Sequence, residues 1–345
     1  MSVQFGLGLF TGQIPAGSER TFAREYRETL DLVRLAEQVG FDSAWVSEHH
    51  GSSDGYLPSL LTMLAAFAAV TERIKLGTGV VLTPLHDPVR LAEDSAVVDQ
   101  LSDGRLILGL GLGWREEEFR MLGVPLDERL SREVETIEIL RRAWTGKRFS
   151  FEGRSFSYDR IRITPPAAQT GGPPIYLGGY AEKAVRRAGL LAEGYITDGD
   201  DIETAKKHLA MVEEAAAGAG KDPAKAGLAL LQNAFVQEAG DAWDTVRDGV
   251  THQIGSYTGW EQGHDTPGHD SLEPTADEAE VRGWTPTGTP DEVAAALRPL
   301  VEEFGSREQF HVIVRLHYPG MDYETAARAV ELFAREVIPA LRSYH

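Results

Sequence analysis

Apolar runs of β-strand character alternate with helical patterns eight times along this chain, and that alternation leaves few ways to fold. The runs lie at Val3 to Phe10, Ser43 to Glu48, Ile74 to Leu82, Arg105 to Leu110, Ile175 to Gly178, Gly194 to Thr197, Leu228 to Val236 and Phe310 to His317. Helical patterns follow at Phe22 to Val39, Pro58 to Val70, Pro88 to Leu101, Leu126 to Trp144, Ala181 to Leu190, Ile202 to Ala217, Ala242 to Ile254 and Tyr323 to Leu341. Spacings such as Phe22, Tyr26, Leu30, Val33 place apolar groups on one helix face, which must be covered. Ile74 to Leu82 shows little polar alternation, as expected of a parallel strand covered on both faces. Repeated βα units predict an α/β fold with a parallel sheet. An eight-stranded (β/α)8 TIM barrel satisfies the pattern without an exposed edge, and an open doubly wound sheet is the alternative. The repetition favours one domain over residues 1–345.

Two segments interrupt the rhythm. Phe149 to Tyr158, centred on Gly153-Arg154, reads as a small hairpin added at the rim, residues 149–158. Gly255 to Trp284 is rich in Gly, Asp and Glu yet carries Tyr257, Trp260 and Trp284, so residues 255–284 read as a lid. Thr287-Gly288-Thr289-Pro290-Asp291 then reads as a turn capped into a helix from Glu292 to Phe304.

Charge narrows the partners. With 34 Lys and Arg against 53 Asp and Glu, a net charge of -19, the averaged field repels phosphate backbones and anionic lipid, which argues against nucleic-acid and membrane roles. The sequence has no cysteine, so disulfides, thiol nucleophiles and thiolate metal sites are excluded. No basic leader precedes the first strand and no run is long enough to span a bilayer, so a cytoplasmic location is the expectation.

Ala44-Trp45-Val46-Ser47-Glu48-His49-His50 delivers two adjacent histidines to the carboxyl end of a strand, the end where barrels do their chemistry. Successive strand residues face opposite ways, so one histidine is expected to serve a site and the other to support it, and as metal ligands the pair is poor. Gly178-Gly179-Tyr180-Ala181 offers bare backbone N–H groups at the start of a helix, where unpaired donors and the helix dipole favour a phosphate. Arg186 and Arg187, about two turns on, read as solvent-facing. Gly77 and Gly79 end the third strand at a place where backbone approaches a ligand. Phe10, Trp114, Tyr257, Trp260, His317 and Tyr318 fall in strand-end loops or the lid and are expected to line a substrate pocket. Gly263-His264-Asp265 and Gly268-His269-Asp270 read as solvated loop, so no metal is expected. Ser102 to Arg105, ahead of the fourth strand, reads as structural.

Ser47-Glu48-His49-His50, Gly77 to Val81, Asp87-Pro88-Val89-Arg90, Gly104-Arg105-Leu106, Gly111 to Gly123, Leu177-Gly178-Gly179 and Thr287 to Pro290 together resemble the bacterial luciferase-like flavin-dependent oxidoreductases. The resemblance implies the TIM barrel. It implies His49 as a proton-transfer residue near a flavin ring, with His50 beside it, a role that suits imidazole near neutrality. It places the flavin phosphate at Gly178, Gly179, Tyr180 and Ala181, where relatives often carry Ser or Thr. It also places Thr78, Gly79 and Val80 behind the ring, with a cis Gly79–Val80 peptide, and brings Gly111 and Leu112 toward the phosphate. The activity implied is monooxygenation of a small organic substrate with dioxygen and reduced FMN from a separate flavin reductase. A coenzyme F420-dependent dehydrogenase on the same fold and a non-catalytic flavin-binding protein are the alternatives, and relatives commonly form homodimers.

Overall fold

The computed structural model describes residues 3–198, 201–261 and 278–343. Eight parallel strands form the centre: β1 (Gln4–Phe10), β2 (Ser43–Val46), β3 (Lys75–Thr78), β4 (Leu106–Gly111), β5 (Ile175–Gly178), β6 (Gly194–Asp198), β7 (Gly227–Asn233) and β8 (Phe310–Arg315). β1 pairs with β8, and the pairing of β3 with β4 through Leu76–Leu106 and Gly77–Ile107 closes the ring. The sheet is thus the predicted (β/α)8 barrel, and the open doubly wound alternative is ruled out.

Strand alternation sorts side chains between two cores. Phe310, Val312 and Val314 of β8 face the helices, whereas Ile313 joins Leu9, Trp45, Ile107, Tyr176, Ile196, Ala229 and Leu231 inside the barrel. The interior is tight: a Cβ on Gly77 would stand 2.2 Å from the Trp45 ring, so only glycine fits beneath the indole. The outer shell seats α1 (Phe22–Val39), α2 (Leu60–Val70), α3 (Pro88–Leu101), α4 (Glu116–Leu122), α5 (Arg129–Ala143), α6 (Glu182–Leu191), α7 (Ile202–Gly218), α8 (Ala242–Glu261), α9 (Glu278–Gly283), α10 (Pro290–Phe304) and α11 (Tyr323–Leu332). Each fully buried Leu or Val of this shell contributes about 1.5–3 kcal/mol relative to exposure. Helix starts follow local chemistry: the Asp87 side chain accepts from the amides of Val89 and Arg90, with Pro88 in the first turn of α3.

Several elements depart from expectation. β2 ends at Val46, so Ser47 to His50 turn away as loop. The third run breaks at a cis Gly79–Val80 peptide and resumes at Val81–Leu82. Gly8–Leu9 is also cis. The seventh run divides at Ala234, after which Phe235–Val236 pairs with Thr287–Gly288 rather than within the barrel. Glu116–Leu122 forms a helix that the sequence pattern does not announce. α8 continues to Glu261, so the first part of the expected lid is helix, while residues 262–277, with both Gly-His-Asp repeats, lie outside the described residues. Beyond α11 a π turn, Phe333–Val337, precedes Pro339, which cannot donate to a regular ladder.

The rim hairpin is present as Phe149–Glu152 and Ser157–Ile161. Just ahead of β4, Arg105 donates to the carbonyls of Ser102, Ile74 and Thr71, a structural role as expected. Among the described residues no helix is long and apolar enough to cross a membrane.

Candidate active site

The carboxyl ends of the strands surround a cavity of about 330 Å³. Its walls are apolar where β1, β6, β7 and β8 supply Leu9, Ile196, Leu231 and Ile313 and the break after β3 supplies Val80. Polar groups gather at two ends, His49 at one and Gly178 to Ala181 at the other.

His49 is buried and held from behind. Its Nδ1 lies 2.8 Å from Glu118 Oε1, and neither side chain is more than 6% exposed. Glu118 belongs to α4, whose first turn carries Glu116, Glu117 and Glu118 at the favourable end of the helix dipole. The same Oε1 accepts from the His50 amide at 2.9 Å and from Arg115 Nη1 at 3.2 Å, so the buried carboxylate has a cationic partner. The Arg115 guanidinium in turn lies 4.0 Å from the Trp260 ring centroid. Trp260, Tyr56 and Tyr257 pack on the imidazole at centroid distances of 4.7, 4.8 and 5.3 Å. With Nδ1 engaged by Glu118, Nε2 is the ring nitrogen outside that contact on a residue that lines the cavity. Tyr56 donates to Ser47 Oγ and pairs with the Tyr257 hydroxyl at 2.8 Å; burial pushes both phenols above their ordinary range.

His50 turns the other way. Its Nε2 stands 2.7 Å from Glu48 Oε1, which His86 Nε2 approaches at 2.8 Å, while Glu48 Oε2 accepts from the Leu82 amide. Burial pushes the Glu48 carboxyl up, but the charges and hydrogen bonds of His86 and His50 prevail and bring it down to about 2. Burial pushes His86 down, and the Glu48 charge overcomes this and raises it. These three side chains place potential ligand atoms within 4.8 Å of one another, a grouping that the expectation of no metal overlooked because His86 is distant in sequence. A hollow of about 470 Å³ outside the barrel, between α2 and α3, reaches Glu48 and His86 from the far side.

At the opposite end of the cavity α6 begins without a side-chain cap at Ala181, so its first amides are open to an anion. Gly179 has φ +139°, and a Cβ there would stand 2.8 Å from the Ala184 Cβ. This uncapped, glycine-lined cradle with an apolar slot leading from it fits a flavin-type ring and its phosphate. Tyr180 is 60% exposed and its hydroxyl donates to Asp198. Arg187 does not face solvent: its Nε pairs with the buried Glu133 at 2.9 Å. Burial pushes the Glu133 carboxyl up to about 7 against that partner. Arg186 is engaged by Glu182 and Glu214.

Of the residues expected at the site, His49, Gly79, Val80, Gly111, Leu112, Trp114, Gly178, Gly179, Tyr180, Ala181 and Tyr257 line the cavity. Trp260 packs on the His49 ring without itself lining the cavity. Thr78 is spent on the carbonyl of Gly109 at 2.7 Å. Phe10 packs on Phe67 and His317, away from the cavity, because a register shift between Leu7 and Phe10 turns Leu9 inward in its place. His317 approaches Glu25, and the Tyr318 hydroxyl is tied to the backbone of Ala234. Sequence reasoning assigned no role to Arg115, Glu118 or Tyr56; the signal available was the acidic run that opens α4, shortly beyond the strand-end glycine turn at Gly111 to Gly113.

Comparison with known proteins agrees with this architecture. The luciferase-like monooxygenase family model matches residues 3–308. An F420-dependent glucose-6-phosphate dehydrogenase of Nocardia farcinica is 30% identical over 92% of this chain and 94% of its own length. An uncharacterized protein, y4vJ, of Sinorhizobium fredii is 27% identical over 94% of each chain. The crystal structure of monooxygenase RslO1 from Streptomyces bottropensis superposes with a TM-score of 0.81 at 27% identity, covering 99% of this chain and 100% of that one. An F420-dependent secondary alcohol dehydrogenase, TM-score 0.78 at 21% identity, shares the fold. Members of the matched family are oxidoreductases, and the chain belongs to the luciferase-like monooxygenase family.

Proposed function

We propose that the chain is an oxidoreductase that oxygenates a small organic substrate, with reduced FMN delivered by a separate flavin reductase and His49 as the proton-handling group. The observation that carries the choice of FMN is the charge around the phosphate end. Beyond Gly178 to Ala181 the rim presents the exposed carboxylates of Asp198 and Asp201 against Lys183, with Glu182 spent on Arg186. Arg186 and Arg187 are already paired. FMN ends at its phosphate, whereas F420 continues into a tail of carboxylates that this acidic rim would repel.

Bound reduced FMN would supply the two electrons with which one atom of dioxygen enters the substrate and the other leaves as water. The chain's residues do the rest. The uncapped α6 amides and Gly178-Gly179 hold the phosphate, and Val80 and Leu9 press on the apolar slot. Tyr257 and Trp260 exclude water over His49, which protects reactive species and strengthens the local electrostatics. Glu118 fixes the imidazole so that Nε2 gives or takes the proton.

A second reading, an F420-dependent dehydrogenase in which His49 takes the alcohol proton during hydride transfer, is favoured by the relatives that carry that name. Anaerobic titration with reduced FMN and with reduced F420, read by tryptophan fluorescence, separates the two. Tighter binding of FMN and substrate-dependent oxygen uptake on admission of air are expected. Binding of F420 alone, with no oxygen uptake, would transfer the assignment to the dehydrogenase.

A further inference from the structure

The last inward position of β8 is a charge. His311 and Ile313 point into the barrel, so Arg315 does too, one layer nearer the mouth. It pairs in register with Asn233, just above the Leu231–Ile313 pair that lines the cavity. Its exposure is 1%. Among the described residues Nε and Nη1 are buried without an acceptor. That differs from Arg115, whose buried guanidinium is matched by Glu118. A buried guanidinium whose donors lack acceptors is destabilising by on the order of several kcal/mol, and Asp198, the carboxylate that acts on the same phenols, makes no hydrogen bond to Nε or Nη1, so a fold retains such a group where a ligand supplies the missing acceptor. The surroundings place the charge at the site: it opposes the effect of burial on the phenols of Tyr56 and Tyr257, the latter a cavity residue.

We propose that Arg315 is the anchor for an oxyanion, carboxylate, phosphate or sulfonate, carried by the substrate of this cavity. The inference rests on the reading above that the cavity holds a cofactor at its glycine end and a substrate near His49, and it adds the substrate's charge class. A planar guanidinium suits such a group because its parallel N–H donors match two oxygens at once. A local cation is also what an anionic substrate needs to approach a protein of net charge -19. The apolar walls then receive the uncharged remainder, and the part nearest His49 is the part that reacts.

The test uses the full chain, wild type and the variants Arg315→Met and Arg315→Lys, with benzoate, phenyl phosphate and the neutral isostere benzamide as probes. Tryptophan fluorescence titration is expected to show benzoate or phenyl phosphate binding the wild type about ten- to hundred-fold more tightly than benzamide. A preference for benzoate identifies a carboxylate substrate, and one for phenyl phosphate a phosphorylated or sulfonated one. Arg315→Met should abolish the preference and Arg315→Lys should keep part of it. Without probe, Arg315→Met should melt at the same temperature or higher, since it removes an unpaired buried charge. A lower melting temperature with no discrimination between benzoate and benzamide in the wild type would overturn the proposal, because Arg315 would then be structural. Titration of Arg315→Met with reduced FMN distinguishes the two readings: cofactor binding without anion preference removes the anchor alone. Anion preference without cofactor binding removes the oxidoreductase reading alone.

Discussion

His49 Nδ1 and Glu118 Oε1 stand 2.8 Å apart although 69 residues separate them, one just beyond β2 and the other on α4. A carboxylate in that position selects the tautomer and ring orientation of the imidazole and stabilises its protonated form when a proton arrives at Nε2. Glu118→Gln keeps the volume and removes the charge. It is expected to lower kcat about 100-fold or more, within the range of general acid–base effects, while cofactor affinity changes little. Steady-state kinetics with a separate cofactor titration checks this; a variant with unchanged kcat would reduce Glu118 to a packing residue.

Glu48 makes a pH-dependent contribution whose sign follows from its partners. Its carboxyl is brought from 4.5 to about 2, so the stabilisation is present above pH 4.5 and is lost as pH falls toward 2. His86 is raised from 6.5, so its share is full below pH 6.5 and is lost as pH rises through the raised value. The pair therefore supports the fold most between pH 4.5 and 6.5. Melting curves of the wild type and Glu48→Gln across pH 4 to 9 should differ most near pH 5.5 and converge at alkaline pH, to about the extent set by His86. A gap that does not vary with pH would mean that the effect is one of packing.

Gly179 tests the anion cradle without touching the barrel. Its φ of +139° is costly for any side chain, and a Cβ would meet Ala184 at 2.8 Å at the head of α6. Gly179→Ala should weaken FMN binding about ten-fold or more, with the far-ultraviolet spectrum unchanged. Unaltered affinity would move the phosphate away from α6.

The barrel was legible because each βα unit carries its own signal: strands buried on both faces read as unbroken apolar runs, and helices such as α1 show a clear stripe. The cavity was legible where its lining lies at the strand ends themselves, as at His49 and Gly178-Gly179. It was illegible where a distant segment completes it. Glu118 and His86 reach the Glu48 to His50 loop only through the closed ring, and no local pattern encodes that approach. Phe10 misled because the register of β1 shifts after Leu7, reversing the parity that alternation assumes. Gly255 misled for a different reason: glycine lowers helix propensity, yet packing of Tyr257 and Trp260 on His49 accompanies about two further turns of α8.

That extension of α8 is fastened at one buried carboxylate. Asp54 Oδ2 accepts from His252 Nε2 at 2.8 Å and from Gln13 Nε2 at 2.7 Å, which ties α8 to the loop after β2 and to the segment after β1. Burial pushes the Asp54 carboxyl up, but hydrogen bonds from His252, Ser52 and Gln13 outweigh it and hold it below its usual range. Tyr257 and Trp260 lie one and two turns further along the same helix. Asp54→Ala removes the shared acceptor and leaves Gln13 and His252 facing each other as donors, each lost bond to the charge being worth about 1.5–3 kcal/mol. Hydrogen exchange should therefore quicken in α8 ahead of the barrel strands, and oxidation of the reductant should become less tightly coupled to product as water reaches His49. Asp54→Asn retains one acceptor and should lie between. Faster exchange spread evenly over the molecule would instead make Asp54 a general stabiliser, and the ordered position of Tyr257 and Trp260 over His49 would then depend on the rest of α8.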